Sequence, residues 1–209
     1  MEMILESLLL VVILSLDAFV ASFAYGSDGI QIPFRSVAII NIIGSGLLAV
    51  SLYIGSAIRP WLPGEAAKLI CFGILFLLGI VKLFEGSIKA YIRKRKDLHK
   101  QVTFSALHLK FILHVYADPE KADQDSSRTL TSGEAASLGM ALSLDGLAVG
   151  FGAALSHIEP LLAVGFSLLL GTTAVLLGGL LGERLSKRIS LDLSWLGGVL
   201  LLLLAFFKL

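Results

Sequence analysis

Apolar residues along this chain gather into blocks of about twenty, at 3–25, 37–58, 66–86, 135–156, 161–182 and 190–208, with polar or basic stretches between them. A helix of that length crosses the ~30 Å hydrocarbon layer of a bilayer. Closed β-barrels are the other way to span lipid, but they require alternating apolar and polar residues, and these blocks are continuous. The pattern therefore predicts an all-α polytopic membrane protein with six transmembrane helices. The sixth block is the least regular, because Asp192 falls in its first turn and only 193–207 is uncharged.

Charge then orients the predicted helices. The loops after the first, third and fifth blocks hold Arg35, the run Arg93-Lys94-Arg95-Lys96 with its basic neighbours, and Arg184, Lys187 and Arg188. The opposite side holds only Arg59, Lys68 and Lys208. Lys82, near the end of the third block, is expected to snorkel toward the basic side. The positive-inside rule puts both termini outside and the central loop in the cytoplasm, and the expected location is the plasma membrane. The basic run is read as a topology signal that also meets anionic lipid, not as a nucleic-acid site. No Lys or Arg precedes Arg35, so the first block is expected to be a retained span, not a cleaved leader. Overall composition agrees: 56% of residues are hydrophobic, 16% are charged, and mean hydropathy is +0.87. The single cysteine, Cys71, permits no internal disulfide.

Candidate chemistry begins with a repeated motif. Leu14-Ser15-Leu16-Asp17-Ala18 returns 128 residues later as Leu142-Ser143-Leu144-Asp145-Gly146, and each copy sets a carboxylate inside an apolar block. An ionised side chain at the bilayer centre costs roughly 2.5–3.5 kcal/mol on insertion scales, which makes each aspartate a candidate functional residue. The repeat extends further: Pro33 and Pro160 open the second and fifth blocks, and Gly44 matches Gly171, as Gly55 matches Gly182, at an offset of 127. Residues 1–86 and 135–209 are thus expected to be three-helix repeats joined by a linker at 87–134. Because three is odd, the second repeat enters the membrane from the opposite side, and a pseudo-twofold axis in the membrane plane relates Asp17 to Asp145.

Small residues flank both carboxylates. Ala18, Ser22 and Gly26 recur at every fourth position and correspond to Gly146, Gly150 and Ala154, a spacing that lets helix backbones pack closely in lipid. For the aspartates, the structural alternative is a protonated pair hydrogen-bonded across a helix interface. The functional reading is a cation site. Two carboxylates with Ser15, Ser143 and Ser22 within a turn offer hard oxygen ligands, suited to Mn²⁺, Mg²⁺ or Ca²⁺. Asn41, Thr172 and Thr173 could complete the shell, although a polar residue in a helix often only bonds nearby backbone.

In the central loop, Phe104, Leu107, Phe111 and Val115 fit one face of an interfacial helix, while 102–106 also alternates like a strand. His99, His108 and His114 lack the spacing of a helical metal pair and are read as solvated. In 123–134, Asp123, Asp125, Ser127, the carbonyl of Thr129 and Glu134 fall at the ligand positions of an EF-hand loop, which would take Ca²⁺ or Mn²⁺. Arg128 stands where that pattern has glycine. A capping box from Thr131 to Glu134, opening the fourth helix, is the compatible plain reading.

The paired S-L-D-[AG] motifs, the six-helix plan and Phe84-Glu85-Gly86 at the end of the third block resemble the MntP/YtaF family of manganese efflux pumps and sporulation-associated relatives, over essentially the whole chain. The resemblance implies Mn²⁺ export through Asp17 and Asp145, with Glu85 a further acidic position. The pump branch carries an acidic residue in its second helix, where 37–58 has none, and the longer central loop is more similar to the YtaF branch. The expected function is a secondary transporter and not an enzyme, with lipid and a divalent cation as partners and no cofactor required. The alternatives are a structural or assembly role in spore formation and, more remotely, an intramembrane aspartyl protease, for which no G-x-G-D accompanies either aspartate. No Walker motif is present. Whether two chains form a homodimer is left open.

Overall fold

The structure, a computed structural model, describes residues 2–84, 127–155, 158–185 and 194–207. It comprises α1 (Glu2–Ser27), α2 (Phe34–Ile58), a 3₁₀ turn (Arg59–Trp61), α3 (Gly64–Leu83), α4 (Ser132–Leu142), α5 (Leu144–Leu155), α6 (Pro160–Leu185) and α7 (Ser194–Phe207). The expectations for 102–115, the three histidines, Glu85, Asp123 and Asp125 lie outside the described residues.

Local chemistry sets the helix ends. Pro33 and Pro63 occupy the N-caps of α2 and α3, and Pro160 is the first residue of α6. Proline suits these places because a first-turn N–H has no intrahelical partner to lose and its ring presets φ. α1 stops at Gly29, whose φ of 74° is the left-handed value glycine adopts without strain. There the Gly29 N–H donates to Gly26 O and the Ile30 N–H to Tyr25 O, at 3.1 and 2.9 Å, the two bonds of a Schellman ending. α4 opens on the expected capping box: Glu134 Oε2 accepts from the Thr131 N–H and hydroxyl at 2.9 and 2.7 Å.

Four helices, α1, α2, α3 and α6, are each long and apolar enough to cross a bilayer, and α4 with α5 passes as one bent span. Only 17% of the apolar stretch of α6 is buried. Ile42, Val50, Tyr53, Leu69, Leu77, Leu169, Leu177 and Phe206 likewise face outward, an apolar exterior that only lipid accommodates. The 14 described residues of α7 cover ~21 Å at 1.5 Å per residue.

The fourth block departs from expectation, because it is two helices bent by 42° at Ser143 and not one continuous helix. Ser143 caps α4, its hydroxyl turned back onto Gly139 O, and Gly139 and Gly146 on either side leave the backbone little side-chain support. Asp145 therefore stands in the first turn of a new helix, whereas Asp17 lies in the unbroken interior of α1.

Packing is crossed between the two halves of the chain. α1 lies along α6, α2 along α4 and α5, α3 along both α5 and α7, and α7 also touches α1. Exchanging α1 with α4/α5, α2 with α6, and α3 with α7 maps this set of neighbours onto itself. The small-residue stripes form the two equivalent crossings. Ser22 and Gly26 meet Gly178, Gly179 and Gly182 of α6, while Gly150 and Ala154 meet Ser51 and Gly55 of α2.

Residues 127–131 lie against the α1–α2 turn. Gln31 pairs with Thr129 through a β-bridge, and the buried Ser36 hydroxyl donates to Leu130 O at 2.6 Å. Leu130 itself is buried with Tyr25, Val37 and Leu138. The loop after α1 and the entry to α4 thus share one end of the bundle.

Candidate cation site

Both motif aspartates converge on one atom. Lys82 Nζ donates to Asp17 Oδ2 from α1 and to Asp145 Oδ2 from α5. The lysine side chain is 7% exposed and the aspartates 18% each, so this triad is largely removed from bulk solvent. With both carboxylates ionised, one ammonium leaves one negative charge in excess. Asp145 Oδ1 also accepts the Gly146 N–H at 2.7 Å, a bond available because the helix restarts there and its first amides lack intrahelical acceptors.

The expectation that Lys82 snorkels outward is corrected here. Side chains on a helix tilt toward its N-terminus. Lys82 sits one residue before the described end of α3, so its stem points back into the bundle, where the two carboxylates hold it. A buried charge persists only when paired, and Lys82 is the pair for both. Sequence reasoning gave it no role in the site. The signal was its presence as an ionisable residue inside the apolar block 66–86.

The motif serines face elsewhere. Ser15 and Ser143 line a cavity of about 70 Å³ together with Asn41, Ser45 and Ser167. Its walls come in corresponding pairs from the two halves: Ser15 with Ser143, Ala18 with Gly146, Ile40 with Ser167, Gly44 with Gly171, and Leu48 with Val175. Asn41 Nδ2 donates to Leu168 O and Thr172 Oγ1 at 2.7 and 2.6 Å, and the Ser45 and Ser167 hydroxyls are 2.9 Å apart. Ser15 bonds Val12 O at 2.9 Å, and Thr173 bonds Leu170 O at 2.9 Å on the outer surface. Ser22 is buried at the α1–α6 crossing.

In the loop before α4, Arg128 takes the left-handed conformation, φ 58°, that the EF-hand pattern assigns to glycine at this position. The carbonyl of Thr129 accepts the Ser127 hydroxyl at 2.9 Å, while Glu134 is engaged in the capping box. Among the described residues, no group of three or more His, Cys, Asp or Glu side chains is placed to hold a metal. A cation at Asp17 and Asp145 would therefore complete its shell from hydroxyl, carbonyl or water oxygens.

The apolar exterior, the bundle and the buried ionisable triad define a polytopic α-helical membrane protein. Residues 84–209 match the family model Mntp, described as "Putative manganese efflux pump", and the chain belongs to that family. Along 207 residues, 97% of each chain, it is 29% identical to "Probable sporulation protein YtaF" of Bacillus subtilis (strain 168). No solved structure matches. The family match contains Asp145, whereas Asp17 and Lys82 lie outside the matched residues.

Proposed function

We propose that this protein is a secondary transporter that exports Mn²⁺ through Asp17 and Asp145, at the interface of two inverted three-helix repeats, 1–86 and 135–209. The observation that carries the proposal is the convergence of both motif carboxylates on a single positively charged atom. Oxygens that share one ammonium are arranged as they would be around one metal ion, and carboxylate oxygen suits Mn²⁺. The exchange-invariant packing and the pairwise walls of the Ser15–Ser143 cavity support a pseudo-twofold axis and a sixth span at 190–208. In this reading the cargo passes from the carboxylates to the hydroxyl and amide oxygens of Ser15, Ser143 and Asn41, trading charged ligands for neutral ones that hold it weakly enough to release. The lipid bilayer and the cation are the partners, and no step calls for an enzymatic activity.

Metal content of cells lacking manganese export, with and without this protein, tests the proposal. Expression should lower cellular Mn while leaving Mg, Ca, Fe and Co near their starting levels; equal Mn contents would remove the transport reading. The name of the Bacillus relative favours a second reading, a structural or assembly role in spore formation without flux, and that same negative result would support it.

Orientation is tested separately. Asp28 is exposed beyond the end of α1 and Glu65 is exposed at the start of α3, at opposite ends of the bundle, while the native Cys71 is buried. A cysteine at Asp28 should react with an impermeant reagent only after permeabilisation, and one at Glu65 in intact cells. The reverse pattern would put the 87–134 linker outside.

A further inference from the structure

We infer that Lys82 is a tethered competing cation, whose ammonium holds the transport site against monovalent ions and is displaced by a divalent one. This rests on the reading of Asp17 and Asp145 as the transport site. Lys82 Nζ donates to one oxygen of each carboxylate, the place a transported cation would take. The side chain is 7% exposed and stands one residue before the described end of α3, so the ammonium is tethered beside the pair. Tethering gives such a group an effective concentration of at least millimolar order.

A sodium or potassium ion entering this site exchanges one unit of charge for another and must outcompete a ligand that cannot diffuse away. A divalent ion brings twice the charge to the same carboxylates, and the Coulomb term scales with it. Selectivity thus comes from an obstacle to the wrong ion as well as from the ligands for the right one. The displaced lysine has somewhere to go. α3 ends a residue later, and an extended stem carries the ammonium toward the end of the bundle shared by the α1–α2 turn and the entry to α4.

The test uses the full chain in lipid nanodiscs, with Mn²⁺ binding measured calorimetrically at constant ionic strength in sodium chloride and in choline chloride. The wild type should bind with the same affinity in both salts. Lys82→Gln should bind about 10-fold more tightly in choline, a gain of about 1.4 kcal/mol, and lose much of that gain in sodium. Lys82→Arg, which keeps a tethered positive charge, should behave as wild type or bind more weakly. Removing the counter-charge threatens folding, so thermal unfolding is followed in parallel, and Mn²⁺ should stabilise Lys82→Gln more than wild type. Equal affinities for wild type and Lys82→Gln without sodium dependence would overturn the inference. So would a Lys82→Gln protein that remains unfolded at all Mn²⁺ concentrations while Lys82→Arg folds, because the lysine is then a structural ion pair. Saturable Mn²⁺ binding absent from wild type, Lys82→Gln and Lys82→Arg alike would instead defeat the transport-site reading itself.

Discussion

Asp17→Asn and Asp145→Asn should each abolish manganese resistance in cells while leaving the protein at wild-type levels in the membrane. With both carboxylates ionised in the wild type, each change removes the excess negative charge of the triad and leaves Lys82 and one carboxylate as a neutral pair. A divalent ion would then have to expel the ammonium from its only partner, with a single charged ligand to replace it. At 4 Å and an effective dielectric constant of 20, one unit charge acting on another is worth about 4 kcal/mol. The loss in affinity is therefore about three orders of magnitude at tenfold per 1.4 kcal/mol. Insertion should survive, since Asn has nearly the shape of Asp and is easier to place in hydrocarbon. The double variant should be no worse than either single one, because a site missing one charged ligand is already lost. Resistance surviving either single substitution would show that the convergence of these carboxylates is not a transport site.

The parts of this architecture visible in the sequence are those with a one-dimensional signature. Block length marked out α1, α2, α3 and α6, the four helices long and apolar enough to cross a bilayer, and the return of Ser-Leu-Asp at an offset of 128 pointed to paired carboxylates. The break at Ser143 had no such signature. Its counterpart Ser15 sits in the same motif within an unbroken helix, and the differences between the copies that bear on backbone support are Gly146 in place of Ala18 and Gly139 in place of Val11. The direction of Lys82 was hidden for a different reason. A lysine one turn inside a membrane helix can extend outward or fold back, and what decides is whether a neighbouring helix offers a carboxylate. The stripes of small residues told which faces pack closely without telling against what. In the structure each stripe lies on a helix of the opposite half, so the two motif helices are bracketed by α6 and α2.

Those crossings carry the second large effect, since both depend on backbones too close for a side chain. A Cβ at Gly182 would strike Phe23 O and lie 2.9 Å from Ser27 N and 3.0 Å from Gly26 Cα, all atoms of α1 that cannot move alone. A Cβ at the corresponding Gly55 would lie 2.6 Å from Ala154 Cβ and 2.9 Å from Phe151 O of α5. Overpacking a core typically costs about 1–3 kcal/mol, and conflict with backbone on the facing helix belongs at or above the top of that range. Gly182→Leu and Gly55→Leu should therefore lower the unfolding temperature in detergent by similar amounts and reduce export, although neither residue touches the triad through any described bond. Gly46, exposed on α2 with open space within 4 Å of where a Cβ would stand, provides the control, and Gly46→Leu should leave both properties intact. Lipid supplies no hydrophobic drive to reclose a parted helix pair, so the damage should appear as loss of packing and not as a local rearrangement. A strong effect at Gly182 with none at Gly55 would break the equivalence of the two crossings, and with it the pseudo-twofold relation proposed between Asp17 and Asp145.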